Sequence, residues 1–185
     1  KAETEKWLVD KGIPFTSFRP TYIYGPFNYN PIEKWFFDRI IHGRPLPLPG
    51  DGTTITQLGH VFDLAKAMVS SLDIDKAVNR IYNCSGKKGI TFSGLVSACA
   101  IACGKDPKLI KTFKFDPLDV DLKSRKIFPL RLTHFFTDIS RAEKELSWAP
   151  DFDLEAGLKD SYKNDYALNP PVDPDFSIDK ELIGF

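Results

Sequence analysis

Hydrophobic positions along this chain switch between a period of three to four and a period of two. The helical period runs through Ala2–Lys11, Ile32–Ile40, Val61–Leu72, Thr91–Cys103, Ser140–Trp148 and Leu154–Tyr166 and predicts a helix in each. β-rich runs at residues 14–20, 53–59, 80–86 and 109–115 predict strands between them. In the first helix the pattern puts Trp7 and Leu8 inward and Glu3, Glu5 and Lys6 outward, with Gly12 as the stop. Residues 21–29 read as a loop around a Gly25-Pro26 breaker. Asn30-Pro31-Ile32-Glu33 reads as a helix start: Asn30 caps, Pro31 fits the first turn, and Glu33 reaches back in a capping box. Ile32, Trp35, Phe36 and Ile40 then share the buried face, which leaves Asp38 and Arg44 near the surface, and Gly43 ends the helix. Ser140-Arg141-Ala142-Glu143 reads as a second capping box. Pro45, Pro47 and Pro49 exclude a helix over 44–52 and fit an edge strand closed by a Gly50-Asp51-Gly52 turn. Beyond Asn169-Pro170-Pro171 the expectation is an extended tail, docked in part or mobile. Strands interleaved with helices make the fold class α/β.

Composition removes several classes. With 42% apolar residues and 15 Phe, 6 Tyr and 3 Trp among 185 residues, the chain has ample material for a core and is not a disordered one. No run of about 18 apolar residues exists to span a membrane. Lys1 to Asp10 has neither an apolar signal region nor a small-residue cleavage site. The chain opens without Met, on what reads as mid-helix, so we expect a piece of a longer protein that does not fold independently. Formal charge is zero, from 25 basic and 25 acidic side chains, which argues against a strongly basic nucleic-acid protein. The charge is unevenly spread: residues 105–131 hold 8 basic and 4 acidic groups, and residues 132–165 hold 4 and 8. That basic stretch is either a phosphate-facing surface or a solvated face balanced by the acidic segment after it. Cys84, Cys99 and Cys103 are too few and too odd in number for a disulfide framework. Cys99 and Cys103 share a helix face with no His or third Cys nearby, which favours buried small hydrophobes over a metal site.

Chemical motifs are sparse. No Gly-x-Gly-x-x-Gly, P-loop, paired-Cys or His-Glu-x-x-His pattern is present, and His42, His60 and His134 have no triad spacing. His42 reads as a solvated helix cap, and His60 as a backbone hydrogen-bonding residue ahead of a helix. Several blocks are more telling in their order. Arg19-Pro20-Thr21-Tyr22-Ile23-Tyr24-Gly25-Pro26, Gly50-Asp51-Gly52, His60-Val61-Phe62-Asp63-Leu64-Ala65-Lys66-Ala67, Tyr82-Asn83-Cys84-Ser85-Gly86, and Leu146-Ser147-Trp148 with Pro150 and Leu154-Glu155 resemble the successive blocks of the extended short-chain dehydrogenase/reductase superfamily.

That resemblance implies the C-terminal portion of an NAD(P)-binding Rossmann fold with a small α/β substrate-type domain. Residues 1–30 and 60–90 would be the last Rossmann elements, 31–59 and 91–168 the small domain, and 169–185 an extended tail. Lys1 falls at the superfamily's catalytic Lys, where its charge would lower the pKa of an upstream Tyr and hold the nicotinamide ribose. Pro20, Thr21 and Tyr22 would lie beside the nicotinamide, at the carboxyl end of a strand. Tyr24, Asn28, Glu33, Lys34 and Thr56 would line a substrate-like pocket.

Trp35-Phe36-Phe37-Asp38-Arg39-Ile40, Thr56-Gln57-Leu58-Gly59-His60-Val61, Phe92-x-Gly94-Leu95 and His134-Phe135-Phe136 more particularly resemble the chloroplast stem-loop-binding proteins. These are atypical members of the superfamily, associated with binding and cleaving plastid RNA and with ribosomes and the transcription machinery. The resemblance implies a chloroplast stroma protein, with the cytoplasm as alternative. Its partners would be stem-loop RNA and a ribosome or transcription complex, in a homo- or hetero-oligomer with no membrane span. NAD(P) and Mg are the cofactors implied.

Nucleotide-sugar epimerases carry Arg-Asp where this chain has Thr56-Gln57, and Thr cannot make the bidentate contact of Arg with a diphosphate. Arg39, Arg44 or Arg131 would have to replace it. Two functions therefore stay open: an RNA-binding protein with metal-assisted endonuclease activity, and an NAD(P)-dependent epimerase, dehydratase or reductase. A purely structural member is a third. For the first, Lys105, Lys108, Lys111, Lys114, Lys123, Arg125, Lys126 and Arg131 are the phosphate partners and Phe113, Phe115 and Phe128 the stacking platforms, unless those rings turn into the core. No metal site is legible; Asp116, Asp119 and Asp121 are the nearest carboxylates, and a flexible acidic loop is the simpler reading.

Overall fold

The computed structural model describes residues 2–119 and 131–183. Helix α1 (Ala2–Asp10) leads through Gly12, at φ +63°, into strand β1 (Thr16–Pro20). Strand β2 (Tyr22–Tyr24) follows, then α2 (Lys34–Ile41), β3 (Leu46–Pro49), β4 (Ile55–Thr56), β5 (Leu58–His60) and α3 (Val61–Ser70). The second half contains β6 (Arg80–Cys84), β7 (Ile90–Thr91), α4 (Phe92–Ala102), β8 (Thr112–Phe115), α5 (Ser140–Leu146), α6 (Leu154–Ser161) and α7 (Ser177–Ile183).

Among the described residues the strands form four pairs. β1 runs parallel to β6 in register from Thr16 opposite Arg80 to Pro20 opposite Cys84. β2 is parallel to β5, β3 is parallel to β8, and β4 is antiparallel to β7. Parallel pairing needs long crossovers, and here helices supply them.

Two apolar clusters hold these elements. The larger joins Phe36, Phe37 and Ile40 of α2 with Leu46 and Leu48 of β3 and Leu95, Cys99 and Cys103 of the α4 segment; Leu158 of α6 and Leu182 of α7 complete it. The smaller joins Ala67 of α3, Tyr82 and Cys84 of β6, Ala142 and Leu146 of α5, and Trp148. Trp148 is 1% exposed, and its indole N–H donates to the Asp63 carbonyl at 2.9 Å. All three cysteines are free and buried, and burial pushes the Cys84 and Cys103 thiols up to about 12. They act as small hydrophobes.

Several local expectations give way to tertiary partners. Trp7 is 51% exposed and Glu5 is buried, the reverse of the periodic reading of α1. Glu5 turns inward because Ser17 Oγ donates to it at 2.7 Å and Arg19 Nε at 3.1 Å, which hold its carboxyl below the usual range. The stretch read as loop contains β2, because its partner strand lies far along the chain. Helix α2 begins at Lys34 with no side-chain cap, so neither Asn30 nor Glu33 forms the expected capping box. Asp38 is buried rather than at the surface, because it accepts the Tyr166 hydroxyl at 2.8 Å; Arg44 is exposed as expected. Ser140 does not cap α5; Asp138, two residues ahead, accepts both its N–H and its hydroxyl. Helix α6 runs into a π-helical turn at Tyr162–Tyr166 that sets both tyrosine rings against Phe37, at 5.4 and 5.3 Å. The tail is not wholly extended: α7 packs Ile178 and Leu182 into the larger cluster.

Candidate functional site

The carboxyl ends of β1 and β6 face the same way, the place where open α/β sheets take their ligands. Thr21 N–H continues the ladder to the Cys84 carbonyl at 3.1 Å, and the Thr21 and Ser85 hydroxyls meet at 2.6 Å. Pro20, Thr21 and Tyr22 are therefore gathered at this sheet end. Gly86 N–H donates to the Leu58 carbonyl at 2.9 Å and so joins it to β5. Gln57 braces the arrangement. Its amide nitrogen donates to the Gly86 carbonyl at 2.7 Å, and its amide oxygen accepts Thr137 N–H at 2.7 Å.

Beside this end the Tyr22 ring lies 5.2 Å from Phe135, and the Arg131 guanidinium sits 4.3 Å from the Phe135 centroid and 5.0 Å from that of Tyr22. Burial raises the Tyr22 pKa, and the neighbouring Arg131 charge opposes the rise. Among the described residues Arg131 Nε and Nη2 are buried without a hydrogen-bond partner. A guanidinium set against two aromatic rings with two unused N–H donors is suited to an anionic oxygen. Arg39 and Arg44 do not offer this, because both pair with Asp179.

The proposed substrate-like residues divide. Asn28, Glu33 and Lys34 line one cavity of about 180 Å³ together with Phe37, Ser161 and Asp165. Glu33 is 1% exposed; its Oε1 accepts Gly25 N–H at 2.9 Å and the Ser161 hydroxyl at 2.5 Å, while Oε2 has no hydrogen-bond partner among the described residues. Burial raises its pKa, against the lowering effect of those two bonds. Asn28 donates to the Ile23 carbonyl at 2.8 Å and accepts Asn30 N–H at 3.1 Å, which folds the loop onto the cavity rim. Tyr24 is not part of this cavity. It lines a second one of about 510 Å³ beside His60. Thr56 lines neither; it is fully buried in β4 with an unpartnered hydroxyl.

Lys111 and Lys114 are exposed on and beside β8, as are Lys105 and Lys108. Phe115 is buried and Phe113 packs on the larger cluster, so these rings turn inward and offer no stacking surface. Lys1, Lys123, Arg125, Lys126, Asp121 and Phe128 lie outside the described residues. Among the described residues no three His, Cys, Asp or Glu side chains gather to hold a metal ion, and no helix is long and apolar enough to cross a membrane. The sequence reading overlooked Phe135 as a partner of Arg131, Gln57 as a brace, and His60 as part of a cavity wall. The only local signal for the first was an aromatic pair four residues after an Arg.

Residues 2–85 match the NAD dependent epimerase/dehydratase family. Over 185 residues, 99% of this chain and 48% of the relative, the sequence is 45% identical to the chloroplast stem-loop binding protein of 41 kDa b of Arabidopsis thaliana. It is 28% identical over 171 residues to the UDP-glucose 4-epimerase of Vibrio cholerae, covering 86% of this chain and 50% of that enzyme. Among solved structures, UDP-glucuronic acid 4-epimerase from Bacillus cereus, in complex with UDP-glucuronic acid and NAD, superposes with a TM-score of 0.70 at 21% identity, over 88% of this chain and 48% of that one. The dTDP-glucose 4,6-dehydratase from Bacillus anthracis, in complex with NAD, gives 0.68 at 22%, over 91% and 49%. The chain spans about half the length of the curated relatives it matches. The order of its sheet-end elements, the family match over residues 2–85, the similarity of 99% of this chain to a stem-loop binding protein and the likeness to these solved structures give the chain the α/β fold of the C-terminal part of NAD-dependent epimerase/dehydratase enzymes.

Proposed function

We propose that this chain is part of a chloroplast RNA-binding protein built on a dehydrogenase scaffold, one that binds stem-loop RNA and supports plastid RNA and ribosome metabolism. The observation that carries the reading is the 45% identity, sustained over 99% of the chain, to a chloroplast stem-loop binding protein. Two features agree with it. Thr56 and Gln57 stand where sugar-nucleotide enzymes of this family have Arg-Asp, and Gln57 is fully engaged in bracing the backbone. The exposed Lys105, Lys108, Lys111 and Lys114 supply phosphate contacts, joined by Lys123, Arg125 and Lys126, while Arg131 supplies an aromatic-backed anion contact. Cleavage of the bound RNA with Mg, work in the stroma beside ribosome or transcription complexes, and assembly as an oligomer belong to this reading as its further expectations.

The test is a salt-titrated stem-loop binding assay on the full-length protein. Binding should fall with salt at a log–log slope of roughly −0.7 per single-strand phosphate contact. Reversal of Lys111 and Lys114, or of Lys123, Arg125 and Lys126, to Glu should flatten that slope. Wild-type slopes in both variants would remove the basic stretch from the interface. Added EDTA separates binding from metal-assisted cleavage.

A second reading, an NAD(P)-dependent epimerase or dehydratase, is favoured by Arg131's two unpartnered nitrogens beside the sheet end and by the Glu33 cavity. Pro20, Thr21 and Tyr22 would then hold the nicotinamide side of NAD(P), which supplies a hydride acceptor when bound, and Lys1 would hold its ribose. Turnover of a sugar nucleotide by wild type, abolished in Lys1→Met, would install this reading in place of the first.

A further inference from the structure

The 510 Å³ cavity is separate from the Arg131 cluster and from the Glu33 cavity. Its inner wall is Tyr24, Leu58 and the His60 imidazole, all buried, with Phe152 stacked on that imidazole at 3.9 Å. His60 is 1% exposed, and burial keeps its pKa low. Its Nδ1 faces the Phe62 N–H at 3.4 Å, and its Nε2 lies 3.3 Å from Asp160 without hydrogen-bond geometry. The ring is thus a neutral, flat piece of wall. An apolar enclosure of this size, floored by aromatic rings, accommodates a planar heterocycle.

The mouth has the opposite character. Lys87, Lys88, Asp151 and Asp153 stand around it. Both carboxylates are already engaged: Asp151 accepts Lys66 Nζ at 2.7 Å, and Asp153 caps α6 by accepting Ala156 N–H at 2.8 Å. Among the described residues, neither lysine has an ion-pair or hydrogen-bond partner. Lys66 neutralises Asp151 while Asp153 keeps its charge at the helix cap, so two lysines against one carboxylate leave the entrance net positive. A fatty acid would offer the aromatic wall no ring to stack on, and inorganic phosphate would leave that wall empty.

We propose that this cavity binds a nucleoside monophosphate unit, its base against Tyr24 and Phe152 and its phosphate at Lys87 and Lys88. The unit comes either as a free nucleotide or as an unpaired nucleotide of an RNA chain. The site does not depend on the stem-loop reading, because a free nucleotide would occupy it equally well.

The experiment is calorimetric titration of the full-length protein with UMP, AMP, inorganic phosphate, a single-stranded octanucleotide and a blunt RNA duplex. Wild type is compared with Lys87→Glu/Lys88→Glu, in which only exposed side chains change, and with Phe152→Leu. The expected result is saturable binding of UMP or AMP, weakened at least tenfold by the lysine reversal and at least threefold by Phe152→Leu, with inorganic phosphate alone not bound. If the octanucleotide binds and the free nucleotides do not, with the same losses in both variants, the occupant is RNA and the assignment stands. Inorganic phosphate binding as tightly as UMP would overturn it, as would nucleotide and octanucleotide affinities unchanged in both variants. Stem-loop binding by wild type is scored separately, so failure of the RNA reading is distinguishable from failure of this site.

Discussion

Arg39 of α2 and Asp179 of α7 form an ion pair in which each side chain is only 2% exposed. Arg39 Nε donates to Asp179 Oδ1 at 3.1 Å, Nη1 donates to the Trp35 carbonyl at 3.0 Å, and the guanidinium lies 3.9 Å from the Trp35 ring centroid. Desolvation pulls the Arg39 pKa down, while Asp179 restores much of its charge preference. A buried pair of this kind is costly to break because the remaining ion is left uncompensated. Asp179→Ala should destabilise the protein by about 3–5 kcal/mol in urea unfolding, and Arg39→Met/Asp179→Leu should recover most of that loss. Equal instability of the single and double variants would show that shape, not charge, holds α7 in place.

Tyr24 and Gly157 touch so closely that a Cβ at position 157 would come within 2.0 Å of the Tyr24 hydroxyl and 2.8 Å of its ring. Tyr24 is 2% exposed, and relief of the clash requires its ring to shift into the cavity it lines. Gly157→Ala should therefore cost about 1–3 kcal/mol by overpacking, despite the usual gain from replacing a helical Gly. Tyr24→Phe removes the hydroxyl and should return part of that cost. Additive losses in a thermal double-mutant cycle would contradict the contact.

Glu33 lends stability a definite pH dependence. Its folded-state pKa is raised, chiefly by burial, so its contribution is fully present below the ordinary carboxylate range and is lost as pH rises through the folded value. Glu33→Gln keeps an oxygen to accept from Gly25 and Ser161 and carries no charge to desolvate. Its unfolding midpoint should match wild type near about pH 4 and exceed it near about pH 8. A variant less stable than wild type at both values would mean that the carboxylate stays ionised in the fold.

Arg131 should contribute through its planarity as well as its charge. Arg131→Lys keeps the charge and loses the guanidinium contact with Phe135 and Tyr22. Stem-loop affinity should fall by about 1 kcal/mol, roughly fivefold, with the salt slope nearly unchanged. Arg131→Ala should reduce both. A lysine variant indistinguishable from wild type would assign Arg131 a purely electrostatic part.

Periodicity and breakers located nearly every helix, because each is set by residues a few positions apart. Gly43, at positive φ after α2, is such a local device and was legible as the helix stop; Thr91 capping α4 is equally local but was read only as the start of the helical period. What escaped was set by distant partners. Glu33 reads as a capping residue until Ser161 and Gly25 claim its carboxylate, and Asp38 reads as surface until Tyr166 reaches it. Asn28, Glu33 and Lys34 line one cavity because they sit on one short stretch of chain. Tyr24 and Thr56 were grouped with them by motif alone, and the strands that carry them point them elsewhere.

The Gln57 amide has a mechanical consequence. One end of it grips Gly86, at the base of the loop that presents Lys87 and Lys88; the other grips Thr137, just past Phe135 and Arg131. A single planar amide thus ties together the two segments proposed to meet anions. If occupancy of the lysine-rimmed cavity changes the anion affinity of the Arg131 cluster through this amide, linkage requires the reverse effect by the same factor.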